Sequence, residues 1–268
     1  MLARRHFCAA AAAALLAACA ATPSSPPAAA VAELGATGKL RAAINYGNPI
    51  LANRGPDGQP RGLSVDLARE AGRRLGLPVE LVTFTSAGNT VEAMKAGKVD
   101  LAFVAIDPVR AADMDYTAPY VIIEGAYAVR SASPLQRNEE VDRAGTRIAV
   151  GRGSAYDLFL TREIKAATLV RTPTSPEVVD AFLAQNLEVA AGVKQQLEMD
   201  AKRVGGVRLL PGRFMVIEQA MGVPKGRKAA QAWLSSYIEE QKASGFVAEA
   251  LKRHGIEGAA VAPPGAAR

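Results

Sequence analysis

The chain has 268 residues, 49% hydrophobic and 22% charged, with a formal net charge of +6. Charges of both signs are interspersed without a basic run, and there is one Trp, a pattern that argues against nucleic-acid binding. The Cys are Cys8 and Cys19 and the His are His6 and His254, which leaves the body of the chain without a disulfide, argues against Cys/His catalysis or a Ser/His/Asp triad, and excludes a His- or Cys-rich zinc site. Carboxylate chemistry stays open, and neither a metal nor a cofactor is expected.

Met1 to Phe7 is basic and meets an apolar stretch, Phe7 to Ala18, too short to span a bilayer. Leu16-Ala-Ala-Cys19 resembles a bacterial lipobox, in which the Cys is acylated and becomes the mature N-terminus. Residues 1–18 are therefore expected to be a lipoprotein signal peptide and Cys19 the lipid anchor, with export to the periplasm or cell envelope. The alternative is an ordinary signal peptide cut near Ala18 or Ala21. Arg4-Arg5-His6-Phe7 also resembles part of a twin-arginine signal. Residues 19–35, rich in Ala, Pro and Ser, read as a flexible tether, and 257–268 as a disordered tail.

The remainder, about 225 residues, suffices for one large domain or two small lobes. Gly38 to Asn45 reads as a strand, Pro56 to Gln59 as a turn, and Gly62 to Leu75 as a helix with Leu67, Ala71 and Leu75 on one apolar face. Val79 to Phe84 is a second strand, and a helix from Asn89 or Thr90 ends at Gly97. Leu101 to Ile106 is short and apolar enough for a buried strand. Asp107-Pro108 then reads as the cap and first residue of a helix, with Arg110 in its first turn. That position is the carboxyl end of a strand, where ligands sit in open α/β sheets, and a guanidinium suits a carboxylate. Ile122 to Val129 is strand-like and 131–145 irregular. A second series follows: strand Arg147 to Val150, a helix opened by Gly151 to Tyr156, strand Leu169 to Arg171, a helix from Ser175, strand Leu187 to Val193, and a helix over Gln195 to Arg203. Strands Val207 to Leu210 and Met215 to Val223 and helices Lys228 to Ser244 and Phe246 to His254 complete the chain. The order βαβα, a break, βαβα and a return implies parallel sheets in two lobes.

Gly62-Leu-Ser-Val-Asp-Leu67, Gly97-Lys-Val-Asp100, Ile106-Asp-Pro-Val-Arg110, Tyr116-Thr-Ala-Pro-Tyr120, Val150-Gly-Arg-Gly-Ser154 and Gly245-Phe246 together resemble bacterial extracellular solute-binding proteins of family 3, the amino-acid-type binding components of ABC importers. The resemblance runs over about residues 38 to 256. It implies two α/β lobes joined by two crossing strands with the ligand between them, a type II periplasmic-binding-protein-like fold. Lobe 1 would comprise 36–130 plus 216–256 and lobe 2 131–215. It implies further that Arg110 binds a ligand carboxylate, completed by Ser154 and the N–H groups of Ala155 and Tyr156. Tyr46, Asn48, Ser86, Tyr156 and Gln195 are cleft candidates. Ala105, Ala87 and Val193 stand where the family usually places a hydroxyl, an aromatic ring and the acid for an α-ammonium. Asp107, Glu124 or Glu218 are candidate substitutes for that acid, with capping the competing role of Asp107 and a hinge carboxylate that of Glu124. The expected activity is capture of a small carboxylate for a membrane permease, without catalysis and as a monomer. The competing readings are a dehydratase of prephenate-like acids using Glu188 or Glu124, and a ligand-sensing module.

Overall fold

The computed structural model describes residues 26–265. The expected signal peptide and Cys19 lie outside the described residues. The elements in chain order are α1 (Ala28–Leu34), β1 (Leu40–Asn45), β2 (Asn53–Arg54), β3 (Pro60–Arg61), α2 (Leu63–Leu75), β4 (Val79–Phe84), α3 (Ala87–Lys95), β5 (Leu101–Ala105), β6 (Met114–Tyr116) and β7 (Val121–Arg130). Then come β8 (Arg147–Gly151), α4 (Ala155–Glu163), β9 (Thr168–Thr172), α5 (Val178–Ala184), β10 (Val189–Val193), α6 (Lys194–Val204), β11 (Val207–Leu209), β12 (Met215–Pro224), α7 (Lys228–Ala243), α8 (Phe246–Arg253) and β13 (Ala260–Val261). No described helix is long and apolar enough to cross a membrane.

Local chemistry sets these boundaries. In α2, Leu63, Leu67, Ala71 and Leu75 recur at four-residue spacing and are buried, the apolar stripe of a surface helix. Gly76 ends it at φ 68°, a left-handed conformation that glycine adopts without strain. Ser86 caps α3 by accepting from Asn89 N–H at 3.1 Å, so that helix begins ahead of the expected Asn89.

β2 and β3 pair with each other, and the other strands form one curled sheet in the order β4-β1-β5-β12-β7-β10-β8-β9, with β6 beside β12, and β11 and β13 beside β7. β4-β1-β5 and β10-β8-β9 are parallel, as helical crossovers require. The joins β5–β12, β12–β7 and β7–β10 are antiparallel. Two parallel halves are thus linked through β7 and β12, each ten residues long. Each half carries a core on both faces. Ile44, Leu67 and Tyr237 lie on one face of the first half and Met94 and Val104 on the other. Val150 and Leu160 lie on one face of the second half, with Phe182 and Leu197 on the other.

Three expectations need correction. The helix expected from Pro108 is a single 3-10 turn, Arg110–Ala112. Pairing of Met114 to Tyr116 with β12 draws the chain into β6 instead. The tether does not extend over Ala28–Leu34. That helix packs Ala30 and Leu34, both fully buried, onto α7, and Glu33 accepts the Ala230 N–H at 2.8 Å. Small Ala side chains let the helices approach closely, which compensates for low hydrophobicity. The segment from Glu257 to Gly265 is likewise structured. β13 pairs with Val121 and Ile122 of β7, and Lys242 Nζ donates to the Pro263 carbonyl at 2.9 Å. The β7 edge opposite β12 needs that cover, because exposed strand edges invite mispairing.

Glu70 on α2 accepts from Arg73 at 2.7 Å and Arg74 at 2.9 Å, and Arg74 reaches Glu240 of α7. The Arg73 hydrogen bond, followed by that from Arg74, holds the Glu70 carboxyl at about 2 against the opposing effect of burial, down from an ordinary 4.5. A depressed carboxyl stabilises the fold above its unfolded value and loses that contribution as pH falls toward its folded value. The unfolding midpoint should therefore drop between about pH 4.5 and 2, and Glu70→Gln should flatten that part of the curve. Identical acid limbs for both proteins would refute it.

Candidate functional site

The two parallel halves meet around a cavity of about 30 Å³, bounded by the carboxyl ends of β1 and β5, by β12 and by the start of α4. Arg110, Ser154, Ala155, Tyr156 and Asn48 line it, so the structure brings these five sequence candidates together. A second cavity, of about 10 Å³, shares Asn48, Tyr156, Ser175 and Val193 with the first and extends to Gln196 and Asp200. Both spaces are narrow in this arrangement of the two halves.

Arg110 is 3% exposed. It donates through Nη1 to the Ala105 carbonyl at 2.9 Å and through Nη2 to the Gly153 carbonyl of the opposite half at 2.8 Å. Neither partner is an anion. Burial pulls the guanidinium below the ordinary arginine value, with Tyr116 and Asp107 acting in the other direction. A buried cation bonded to neutral carbonyls is electrostatically incomplete, and an arriving carboxylate would complete it.

Facing it, Ser154 caps α4 by accepting from Asp157 N–H at 3.0 Å. Asp157 in turn accepts from Gly153 N–H at 2.8 Å and from Arg171 at 2.9 Å. The Asp157 carboxylate thus binds the backbone one residue ahead of the cap and fixes the Gly151–Ser154 loop. Ser154 Oγ is engaged in that role, while Ala155 and Tyr156 N–H have no acceptor among the described residues. Unpaired amides at a helix N-terminus offer positive potential and donors to an anion.

The other candidates lie elsewhere. Tyr46 is half-buried beneath the Arg54 guanidinium, 5.6 Å from the ring centroid. Ser86 serves as the α3 cap. Asp107 accepts from Val109 N–H at 2.8 Å and bridges the halves through Arg162 at 3.0 Å. Its role is capping and latching. Glu124 on β7 is paired with Arg213 at 2.8 Å and Lys194 at 3.0 Å, which hold its carboxyl below the usual range. That makes it a hinge-strand carboxylate. Glu218 is exposed on β12 and Glu188 is paired with Arg147 at 2.8 Å. Gln195 donates to the Glu257 carbonyl at 3.2 Å, against the C-terminal segment. Ala105, Ala87 and Val193 do line the cavity.

Asn45, Gly47, Ser175 and Gln219 also line it without having been expected. Asn45 ends β1 and could have been found by the strand-end rule that singled out Arg110. Gly47 is required by packing, since a Cβ there would lie 2.8 Å from the Thr85 carbonyl. Ser175 and Gln219 carry no sequence signal, because tertiary packing alone directs them inward.

A sequence model of bacterial extracellular solute-binding proteins, family 3, matches residues 40–257. No curated protein matches the chain. A mutant of ArgBP from T. maritima superposes with a TM-score of 0.74 at 18% identity, over 85% of this chain and 100% of that one. A solute receptor for L-cysteine of Neisseria gonorrhoeae does so with a TM-score of 0.74 at 24% identity, over 84% of this chain and 92% of that one. The ancestral amino acid-binding protein AncCDT-1, a precursor of cyclohexadienyl dehydratase, has a TM-score of 0.71 at 18% identity, over 83% of this chain and 98% of that one. At such identities these likenesses concern the fold, the two-lobed arrangement expected from the sequence.

Proposed function

This chain belongs to the bacterial extracellular solute-binding proteins, family 3, and from that premise we propose that it captures a small carboxylate solute, an amino acid or related organic acid, between its lobes. Capture is by hinge closure about β7 and β12, outside the cytoplasm, and the closed form delivers its load to an ABC permease. Lipidation at Cys19 would keep the protein at the membrane. The two structures named for amino acids or cysteine and the family itself support this ligand class. The observation that carries it is Arg110: a buried guanidinium without an anionic partner, opposed across the cavity by the free amides of α4. The reading as a binding protein and not a dehydratase rests on the two candidate general acids, Glu124 and Glu188. Glu124 and Glu188 are both ion-paired away from the cavity, and a general acid must reach its substrate.

The test combines ligand identification with a wedge. Mass spectrometry of small molecules released on denaturing the purified protein should yield a carboxylate that raises its melting temperature. A Cβ at Gly88 of α3 would lie 3.6 Å from Gly153 Cα and the Arg152 carbonyl across the cleft. Gly88→Ala therefore fits the closed form, whereas Gly88→Leu overpacks it by about 1–3 kcal/mol and should weaken binding roughly tenfold or more. A released ligand without an acidic group, or full affinity in Gly88→Leu, would refute capture by closure on a carboxylate.

A further inference from the structure

Resting on the reading of this cleft as a carboxylate site, we propose that its ligand is a hydroxycarboxylic acid: a monoanion with a neutral hydroxyl where an amino acid carries its ammonium. Gln196 is the residue that selects the hydroxyl.

The first observation concerns charge. Arg110 supplies one positive charge to the wall of the main cavity, and Val193 occupies the end of β10 nearest the second half's helix N-terminus. Asp200 is the carboxylate that lines the adjoining cavity, and it is 6% exposed. Both of its oxygens are engaged. Oδ1 accepts from Arg203 Nη2 at 2.9 Å and Nε at 3.1 Å, and Oδ2 accepts from Gln196 Nε2 at 2.8 Å. The nearby acids Asp107 and Asp157 are paired with Arg162 and Arg171. Arg203 is shared with Asp180 at 2.9 Å on the outer side, yet both Asp200 oxygens are already occupied, so an amino acid would bring its ammonium into a closed space that offers no free carboxylate oxygen, at a desolvation cost. A monoanion balances Arg110 and leaves the rest undisturbed.

The second observation concerns acceptors. Gln196 Oε1 and Asn48 Oδ1 are buried without a hydrogen-bond partner, and both side chains line the small cavity. The Gln196 amide cannot turn round. Asp200 accepts and cannot donate when ionised, so Gln196 must direct its NH₂ to Asp200 and its carbonyl oxygen away. A buried acceptor held in this way calls for a neutral donor from the ligand, and a hydroxyl is the donor that adds no charge. Asn48 lines both cavities, so its unpartnered Oδ1 belongs to the same joint space. Leaving such an acceptor unmet costs about 1–3 kcal/mol, which sets the discrimination against ligands without the hydroxyl.

Calorimetric titration of the purified protein with matched acids tests the inference. The probes are lactate, alanine and propionate; glycerate and serine; and 3-phenyllactate, phenylalanine and 3-phenylpropionate. In at least one set the hydroxy acid should bind at least about tenfold more tightly than its amino and deoxy counterparts. Gln196→Met, which preserves bulk, should bring the hydroxy-to-deoxy ratio close to one without changing deoxy affinity. Val193→Asp, which adds an anion to the cavity wall, should move the preference toward the amino acid. Arg110-dependent binding of the amino acid at equal or higher affinity would overturn this inference while leaving the carboxylate site intact. A hydroxyl preference that survives in Gln196→Met would overturn the role of that residue. If no acid of any class binds, both this inference and the carboxylate reading fail.

Discussion

Arg110→Met should reduce carboxylate affinity by about 2–5 kcal/mol, the usual cost of removing one member of a buried, hydrogen-bonded charge pair. In binding terms this is a loss of roughly 30-fold to several thousand-fold. The free protein should keep its melting temperature or gain slightly. Its buried guanidinium is bonded to the Ala105 and Gly153 carbonyls and not to an acid, so Met removes a desolvated charge along with two hydrogen bonds. Ligand-induced thermal stabilisation should then disappear. Arg110→Lys should fall between the two, retaining the charge but not the planar fork. The paired measurement separates function from folding. Undiminished ligand stabilisation in Arg110→Met would remove the residue from the site, and a collapse of the free protein would assign it a structural role.

Tyr237→Ala should destabilise the first half by about 3–5 kcal/mol, as deletion of a buried aromatic ring does. Tyr237 on α7 is 2% exposed and stacks on Trp233 with ring centroids 5.4 Å apart. Its hydroxyl donates to the Leu67 carbonyl of α2 at 2.8 Å, and the Arg74 guanidinium lies 5.4 Å from the ring centroid. The ring therefore fastens α7 to α2 over the strands whose ends form the cleft. Tyr237→Phe should cost about 0.5–1.5 kcal/mol, the range for one hydrogen bond. Urea unfolding measures both. A cost below about 1.5 kcal/mol for the Ala variant would mean that the surroundings refill the space. Ligand affinity well below the melting temperature should not change, because Tyr237 is not among the residues that line the cavity.

The legible parts of the chain were those where one local pattern sufficed. Val79 to Phe84 is bounded by Pro78 and polar residues and forms a strand as expected. α2 combines an apolar stripe with a glycine stop. Arg110 was accessible because the end of a strand has fixed chemistry, and Ser154, Ala155 and Tyr156 through the motifs that resemble the family. The illegible parts depend on partners distant in sequence. Ala28–Leu34 is helical and buried through α7, two hundred residues on. Glu257 to Gly265 is held by β7 and Lys242. Met114 to Tyr116 extends because β12 is beside it. In each case composition describes the isolated segment, and burial against another element overrides it.

The amino-acid sequence by itself determined the alternation of strands and helices, the pair of crossing strands, the family and the cation at a strand end. The alternation and the strand-end cation follow from periodicity, glycine and proline placement, and capping, which operate within a few residues; the family and the crossing strands follow from the motif resemblance. Only the tertiary structure decided which polar groups face one another. Asp107, Glu124 and Gln195 are spent on contacts at the rim and hinge, whereas Asn48, Gln196 and Asp200 converge on the cleft. The reason is that a side chain's hydrogen-bond partner is set by packing across the sheet, and no local pattern along the chain encodes that distance.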